Sequence, residues 1–365
     1  MKKAELVFIP TPGISHLVST VEVAKLLVDR DERLSITFLI MKINFDPKVD
    51  TFIDSVSTAC NRIRFIHLSK YEPDPNQPNK FFVSLNESQK PSVKEEVSRL
   101  VNRSVSSPGS PTLAGFVLDM FCTSLIDVAN EFGVPSYIFL TSGAAFLGLQ
   151  FYVQVLHDEQ KVDPTEFKGS DAELVMPCLE NPLPAKLLPS VMLNKEWLSI
   201  LISPARKFRE TKGIMVNTFE DLESHAINSF SNGNTPPVYP VGPILNLNGD
   251  ASILGSVSML REPGEFWCGS GEGNCLWARA EWPSILVVSS STTTKRSEFH
   301  VDGDENYIVS AGEIERGVRC LMELDDEKRE KLKEMSGKSR KALENGGTSS
   351  IGLGRFIKDV VDHQP

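Results

Sequence analysis

A chain of 365 residues with 41% hydrophobic side chains is long enough for two globular domains and has the composition of an ordinary folded protein. Its formal net charge of −10 argues against nucleic acid or an anionic membrane surface as a partner, because phosphate recognition needs clustered Lys and Arg. No apolar run reaches the ~20 residues of a membrane span, and the six scattered cysteines lack disulfide-framework spacing, which suits reduced thiols in the cytoplasm.

Leu6 to Ile9 predicts a short buried parallel strand, stopped by Pro10, Pro12 and Gly13. Met1-Lys-Lys has the basic start of a leader, but Pro10 cuts short the apolar stretch behind it. From His16 onward Leu17, Val21, Ala24, Leu27 and Val28 recur at helical spacing, so a helix runs to about Arg30. Ser35 to Met41 predicts a second strand, Val49 to Thr58 a helix, and Ile63 to Leu68 a third strand. Tyr71 to Asn79 carries three prolines and reads as loop. Ser92 to Arg103 predicts a helix with Val93, Val97, Leu100 and Val101 on one side, followed by a break from Ser106 to Pro111. Leu113 to Asp119 is an apolar strand ending in a carboxylate, with a helix after it through Ala129. Val134 to Leu140 is a further strand, delivering Thr141 and Ser142 to its carboxyl end, and a helix follows from Ala144 to about His157.

Five alternations of strand and helix are the signature of a doubly wound α/β sheet with parallel strands. Val162 to Pro189 is an irregular surface excursion; Lys195 to Arg209 is helical, Gly213 to Asn217 a strand, and Phe219 to Phe230 a helix. Thr235 to Pro243, with four prolines and a glycine, forbids helix and central strand and marks a domain boundary. Beyond it Asn246 to Asp304 loses the βα rhythm, and only Ile285 to Val288 looks like a buried strand. Three helices close the chain, at Ala311 to Leu324, Asp326 to Asn345 and Ser350 to Val361.

The sharpest chemical pairing is His16 with Asp119. Both lie at carboxyl ends of predicted parallel strands, the edge at which open α/β sheets bind ligands. A carboxylate on one imidazole nitrogen sets the tautomer and lets the other nitrogen take a proton. The plainer alternatives are a loop histidine and an aspartate that only caps the next helix. Phe82, Phe121, Phe139 and Phe146 could line an aromatic pocket, or simply fill the core. Gly269-Ser-Gly-Glu-Gly273 lacks the third glycine of a dinucleotide loop and has no strand before it, so a nicotinamide oxidoreductase is a poor reading. Cys268 and Cys275 have no partners at zinc spacing, and no phosphate-loop, H-E-x-x-H or G-x-S-x-G motif occurs.

Five segments resemble plant UDP-dependent glycosyltransferases of small molecules, in that family's order: P-T-P-G-I-S-H-L-V-S (Pro10 to Ser19), F-V-L-D-M-F (Phe116 to Phe121), G-V-P-S-Y-I-F-L-T-S (Gly133 to Ser142), G-I-M-V-N-T-F-E-D-L-E (Gly213 to Glu223) and V-Y-P-V-G-P (Val238 to Pro243). Ser310 to Glu323 and Lys338 to Ser350 resemble the same family's final helices. The resemblance implies a GT-B-like fold: a complete N-terminal Rossmann-like acceptor domain over residues 1–244, and a truncated donor-side domain over 245–365, helical from 310, whose last helix crosses back onto the first. It implies transfer from a UDP-sugar, glucosyl by expectation, to a flavonoid-like or other phenolic hydroxyl, with inversion and without metal or cofactor. His16 matches the family's base and Asp119 its carboxylate partner; Thr141, with Gly13 and Ile14, is assigned to the donor sugar side.

One departure stands out. The family's donor signature, with its W-x-P-Q start, H-C-G-W-N-S centre and acidic-Gln end, is absent; Trp267-Cys-Gly-Ser and Trp282-Pro-Ser are superficial echoes. That centre supplies the helix N-terminus for the diphosphate, and without it the leaving UDP loses its main electrostatic support. Asn246 to Thr294 reads as though most of a domain had been replaced by unrelated residues. The alternative to a transferase is therefore an inactive remnant that still binds the acceptor.

Overall fold

The computed structural model describes residues 3–43, 47–74, 76–77, 80–107, 109–244 and 326–363. Strand and helix alternate from the start: β1 (Ala4–Ile9), α1 (Ile14–Arg30), β2 (Leu34–Lys42), α2 (Pro47–Ala59), β3 (Ile63–Lys70), α3 (Phe81–Ser106), β4 (Thr112–Asp119), α4 (Ile126–Glu131), β5 (Ser136–Leu140) and α5 (Ala144–Asp158). A small antiparallel pair, β6 (Glu173–Leu174) and β7 (Leu183–Pro184), ties the excursion together. Then come α6 (Ser199–Phe208), β8 (Gly213–Val216), α7 (Glu220–Ser229) and β9 (Val238–Pro240), and at the end α8 (Asp326–Leu343) and α9 (Thr348–Asp362).

The main sheet has the order β3-β2-β1-β4-β5-β8-β9, with every neighbouring pair parallel. The chain starts at the middle, winds outward to β3, then returns to β4 and winds the other way. The reversal between β1 and β4 is the topological switch point, where two crossover directions leave a crevice at the carboxyl ends. Side chains alternate between the two faces. Val7, Ile9, Phe116 and Leu118 pack with α3, α4, α5 and α6, whereas Leu6, Phe8, Val117 and Phe139 pack with α1, α2 and α9.

Three elements differ from the sequence reading. The helix predicted from Ser92 begins at Phe81 and carries Pro91 inside it. Its first half buries Asn86 and Gln89 beside Leu85, so polar residues on the inner face conceal the apolar period. Residues Val238–Pro240 form a strand despite the prolines: β9 lies at the sheet edge, where Pro240 need not donate on both sides. The helix predicted from Lys195 starts at Ser199 instead.

The last helix completes the second face of the sheet. Leu353, Phe356, Ile357 and Val360 of α9 are buried there, and the Phe356 ring meets Tyr137 at 5.0 Å and Tyr239 at 5.8 Å, both edge-on. Ser349 Oγ donates to the Gly242 carbonyl at 2.5 Å, and Tyr239 donates its hydroxyl to Asp359. Gly352 permits the approach, since a Cβ there would lie 2.1 Å from the Pro240 carbonyl oxygen. The predicted strand at Ile285 to Val288, the helix at Ala311 to Leu324 and the glycine-rich and tryptophan echoes all lie outside the described residues. Among the described residues no helix is long and apolar enough to cross a membrane.

Candidate functional site

β1 and β4 are direct neighbours, with Ile9 paired to Leu118, so the residues just beyond them share one crevice edge. After Ile9 the chain turns through Pro10-Thr-Pro-Gly13. Gly13 takes a φ of +145°, a region other residues rarely enter, and this swings the chain into α1. His16 then falls in the first turn of α1, buried at 6% exposure. Asp119 is the last residue of β4, buried at 3%. His16 Nδ1 and Asp119 Oδ2 are 2.6 Å apart. In the neutral ring this contact places the proton on Nδ1 and the lone pair on Nε2, the arrangement of a general base.

Asp119 is held on its other side as well. Oδ1 accepts from the Phe121 backbone N–H at 3.1 Å and from the hydroxyl of Thr11. The Thr11 oxygen also lies 3.6 Å from Cys122 Sγ. Burial, and next the charge of Asp119, push the Cys122 thiol well above its usual value, so it stays protonated. The carboxylate thus braces its own turn, as a cap would, and the imidazole at the same time.

An aromatic wall stands beside the pair. The Phe121 ring is 6.1 Å from the His16 ring and stacks on Phe82 at 4.2 Å, with planes within 9°. Phe81 meets Phe82 edge-on at 5.1 Å, and Tyr71 extends the row at 6.2 Å from Phe81. Asn86 of α3 fixes the Phe121 turn by donating to its carbonyl at 2.6 Å. Of the four phenylalanines singled out in the sequence, Phe139 and Phe146 are enclosed in the core, at 1% and 0% exposure.

Thr141 follows β5 on the same sheet edge, half-buried, with its carbonyl accepting from Asn217 Nδ2 at 3.3 Å. Gly13 is exposed and Ile14 half-buried at the turn into α1. Sequence reasoning missed Glu223. Its buried carboxylate accepts from the backbone N–H groups of Ala144 and Ala145 at 2.9 and 3.0 Å, so the N-terminus of α5 beside Thr141 already holds an anion supplied by the chain. The signal was a lone glutamate at the end of an acidic run, indistinguishable from a solvated face until α7 is packed. Among the described residues no cluster of three metal-ligating side chains occurs.

The structure is thus a doubly wound α/β sheet that carries a carboxylate-braced imidazole, with aromatic rings beside it, at its switch point. No family model matches the chain. Curated relatives do: UDP-glycosyltransferase 71B6 of Arabidopsis thaliana is 36% identical over 478 aligned positions, covering 99% of this chain and 98% of that one. UDP-glucose flavonoid 3-O-glucosyltransferase 6 of Fragaria ananassa is 37% identical over 480 positions, covering 99% of each. Among solved structures, a UGT transferase from Siraitia grosvenorii in complex with UDP superposes with a TM-score of 0.74 at 30% identity, over 98% of this chain and 100% of that one. The chain belongs to the plant family 1 UDP-glycosyltransferases, and its fold is of their GT-B class.

Proposed function

We propose that this chain is a UDP-glucose-dependent O-glucosyltransferase of flavonoid-like or other small phenolic acceptors. The carrying observation is the 2.6 Å contact between His16 Nδ1 and Asp119 Oδ2 at the switch-point crevice, next to the Phe82–Phe121 stack. The aromatic rings beside His16 support an aromatic acceptor, and the Fragaria ananassa relative's name supplies the acceptor class. In the reaction, His16 Nε2 takes the acceptor's hydroxyl proton as that oxygen attacks the anomeric carbon. The carbon–oxygen bond to UDP breaks on the opposite face, so configuration inverts and UDP leaves with the bonding pair. Asp119 holds the ring and stabilises the imidazolium as it forms. Thr141, Gly13 and Ile14 would stand on the donor sugar side, and no metal or cofactor is called for. The six cysteines, scattered without disulfide-framework spacing, support a reducing compartment, the cytoplasm.

A second reading, an acceptor-binding remnant without transfer, has its own support. The alignment to the strawberry relative runs over 480 positions, more than this chain has residues, and the donor signature is missing from its 365. Domains split at residue 244 would then leave an acceptor half served by a truncated donor half. Incubation of the purified chain with UDP-glucose and a panel of phenols separates the two. The transferase predicts a β-glucoside, identified by the anomeric coupling in its NMR spectrum. The remnant predicts calorimetric binding of a phenol, no heat with UDP, and no glucoside.

A further inference from the structure

The residue between the two prolines of the first turn has no assigned role, yet it touches the proton-transfer pair. Thr11 is 4% exposed and donates its hydroxyl to Asp119 Oδ1. Its setting makes it stiff. Pro12 confines the residue before it to extended backbone, and a β-branched side chain has few χ1 choices. The hydroxyl is therefore held by the chain itself and loses little freedom on forming its bond.

We propose that Thr11 is a positioning residue for the base: its hydroxyl clamps Asp119 Oδ1, turns Oδ2 toward His16 and draws off part of the carboxylate's charge. The inference rests on the reading of His16 as general base. The hydroxyl has one hydrogen, and Asp119 takes it; the neutral Cys122 thiol 3.6 Å behind can in turn donate to the Thr11 oxygen. A chain of donors thus ends on Oδ1, with the Phe121 N–H at 3.1 Å as a second anchor. The titratable groups that meet at this clamp are His16 of α1, Asp119 at the end of β4 and Cys122 in the turn after it.

The sign of the effect follows. Without the Thr11 hydroxyl, Phe121 still orients the carboxylate, but more negative charge faces the imidazole. The imidazolium is favoured and the base is spent at a higher pH. Hydrogen bonds to a charged group are stronger than neutral ones, and with only part of that strength passed to the ring the His16 midpoint should rise by roughly half a unit to one unit.

The test is a ¹⁵N-histidine NMR titration of the full chain, with the His16 signal assigned by its loss in His16→Gln. Thr11→Val, which keeps the shape and removes the hydroxyl, is expected to raise the His16 midpoint by that amount, and Thr11→Ser to restore it. If Thr11→Val does not fold, Thr11→Ala carries the same prediction. A midpoint unchanged or lowered in the hydroxyl-free variant, or not restored by serine, overturns the proposal. The readout needs no turnover, so a chain that makes no glucoside counts against the transferase reading alone. Where turnover is seen, the acid limb of the kcat profile should move up in Thr11→Val with KM unchanged.

Discussion

At the scale of single residues, the account turns on two atoms of one carboxylate doing different work. Asp119 Oδ2 faces His16, and Oδ1 ties the turn through Phe121. Asp119→Asn keeps the shape but presents an amide, so the wrong tautomer becomes available and the imidazolium loses its counter-charge. We predict a fall in glucoside formation of about 10²–10⁴-fold, the usual scale of a positioned base, measured at saturating acceptor. The pairing of His16 with Asp119 was legible in the sequence because Asp119 closes one apolar strand and His16 follows the turn after another, and strand ends in an α/β sheet share one edge. Thr11 and Glu223 were not legible. Nothing in P-T-P distinguishes a turn threonine from a clamp, and Glu223 gains its meaning only from the distant amides of Ala144 and Ala145. Of the four phenylalanines, Phe82 and Phe121 stack beside His16, with Phe121 itself buried, while Phe139 and Phe146 are core by the ordinary preference of buried aromatics.

At the scale of elements, the strands were read well because parallel strands buried on both faces are continuous apolar runs, as the six buried residues of β1 show. α3 was read short because its amino-terminal half turns Asn86 and Gln89 inward, and β9 was missed because an edge strand tolerates the proline that a central one cannot. Two predictions belong here. Gly352→Ala places a methyl against the Pro240 carbonyl oxygen, a backbone atom that cannot swing aside. Overpacking of this kind costs about 1–3 kcal/mol, read as a lower urea midpoint at unchanged slope. The second concerns the end of α5, where Arg206 of α6 donates to Asp158 through Nε at 2.7 Å. This guanidinium, with His157 and Gln154 behind it, holds the Asp158 carboxyl well below its usual 3.8. A carboxylate depressed in the fold contributes stability that is present above its unfolded value and lost as pH falls toward the folded one. Asp158→Asn should therefore flatten the loss of stability below about pH 4, as followed by urea unfolding across pH; an unchanged slope would contradict the assignment.

At the scale of the whole molecule, the last described helix packs against the first sheet. α9 closes the face formed by Tyr137, Tyr239 and Met215, with Phe356 fully buried between them. Phe356→Ala should cost about 3–5 kcal/mol and destabilise the sheet along with the helix, so thermal unfolding should remain a single transition at lower temperature. α9 thereby supports the same sheet whose carboxyl edge carries His16 and Asp119. Two readings of function share this structure because the proposed base, His16, stands at the sheet edge within the described residues, whereas the donor signature was sought in 245–325, outside them. The most direct measurement is the initial rate of glucoside formation from UDP-glucose and a flavonol, compared between the unaltered chain and His16→Ala. A rate that falls at least about a hundredfold in the variant, with flavonol binding retained, is the predicted result. Equal rates in the two proteins, or none in either, would contradict it.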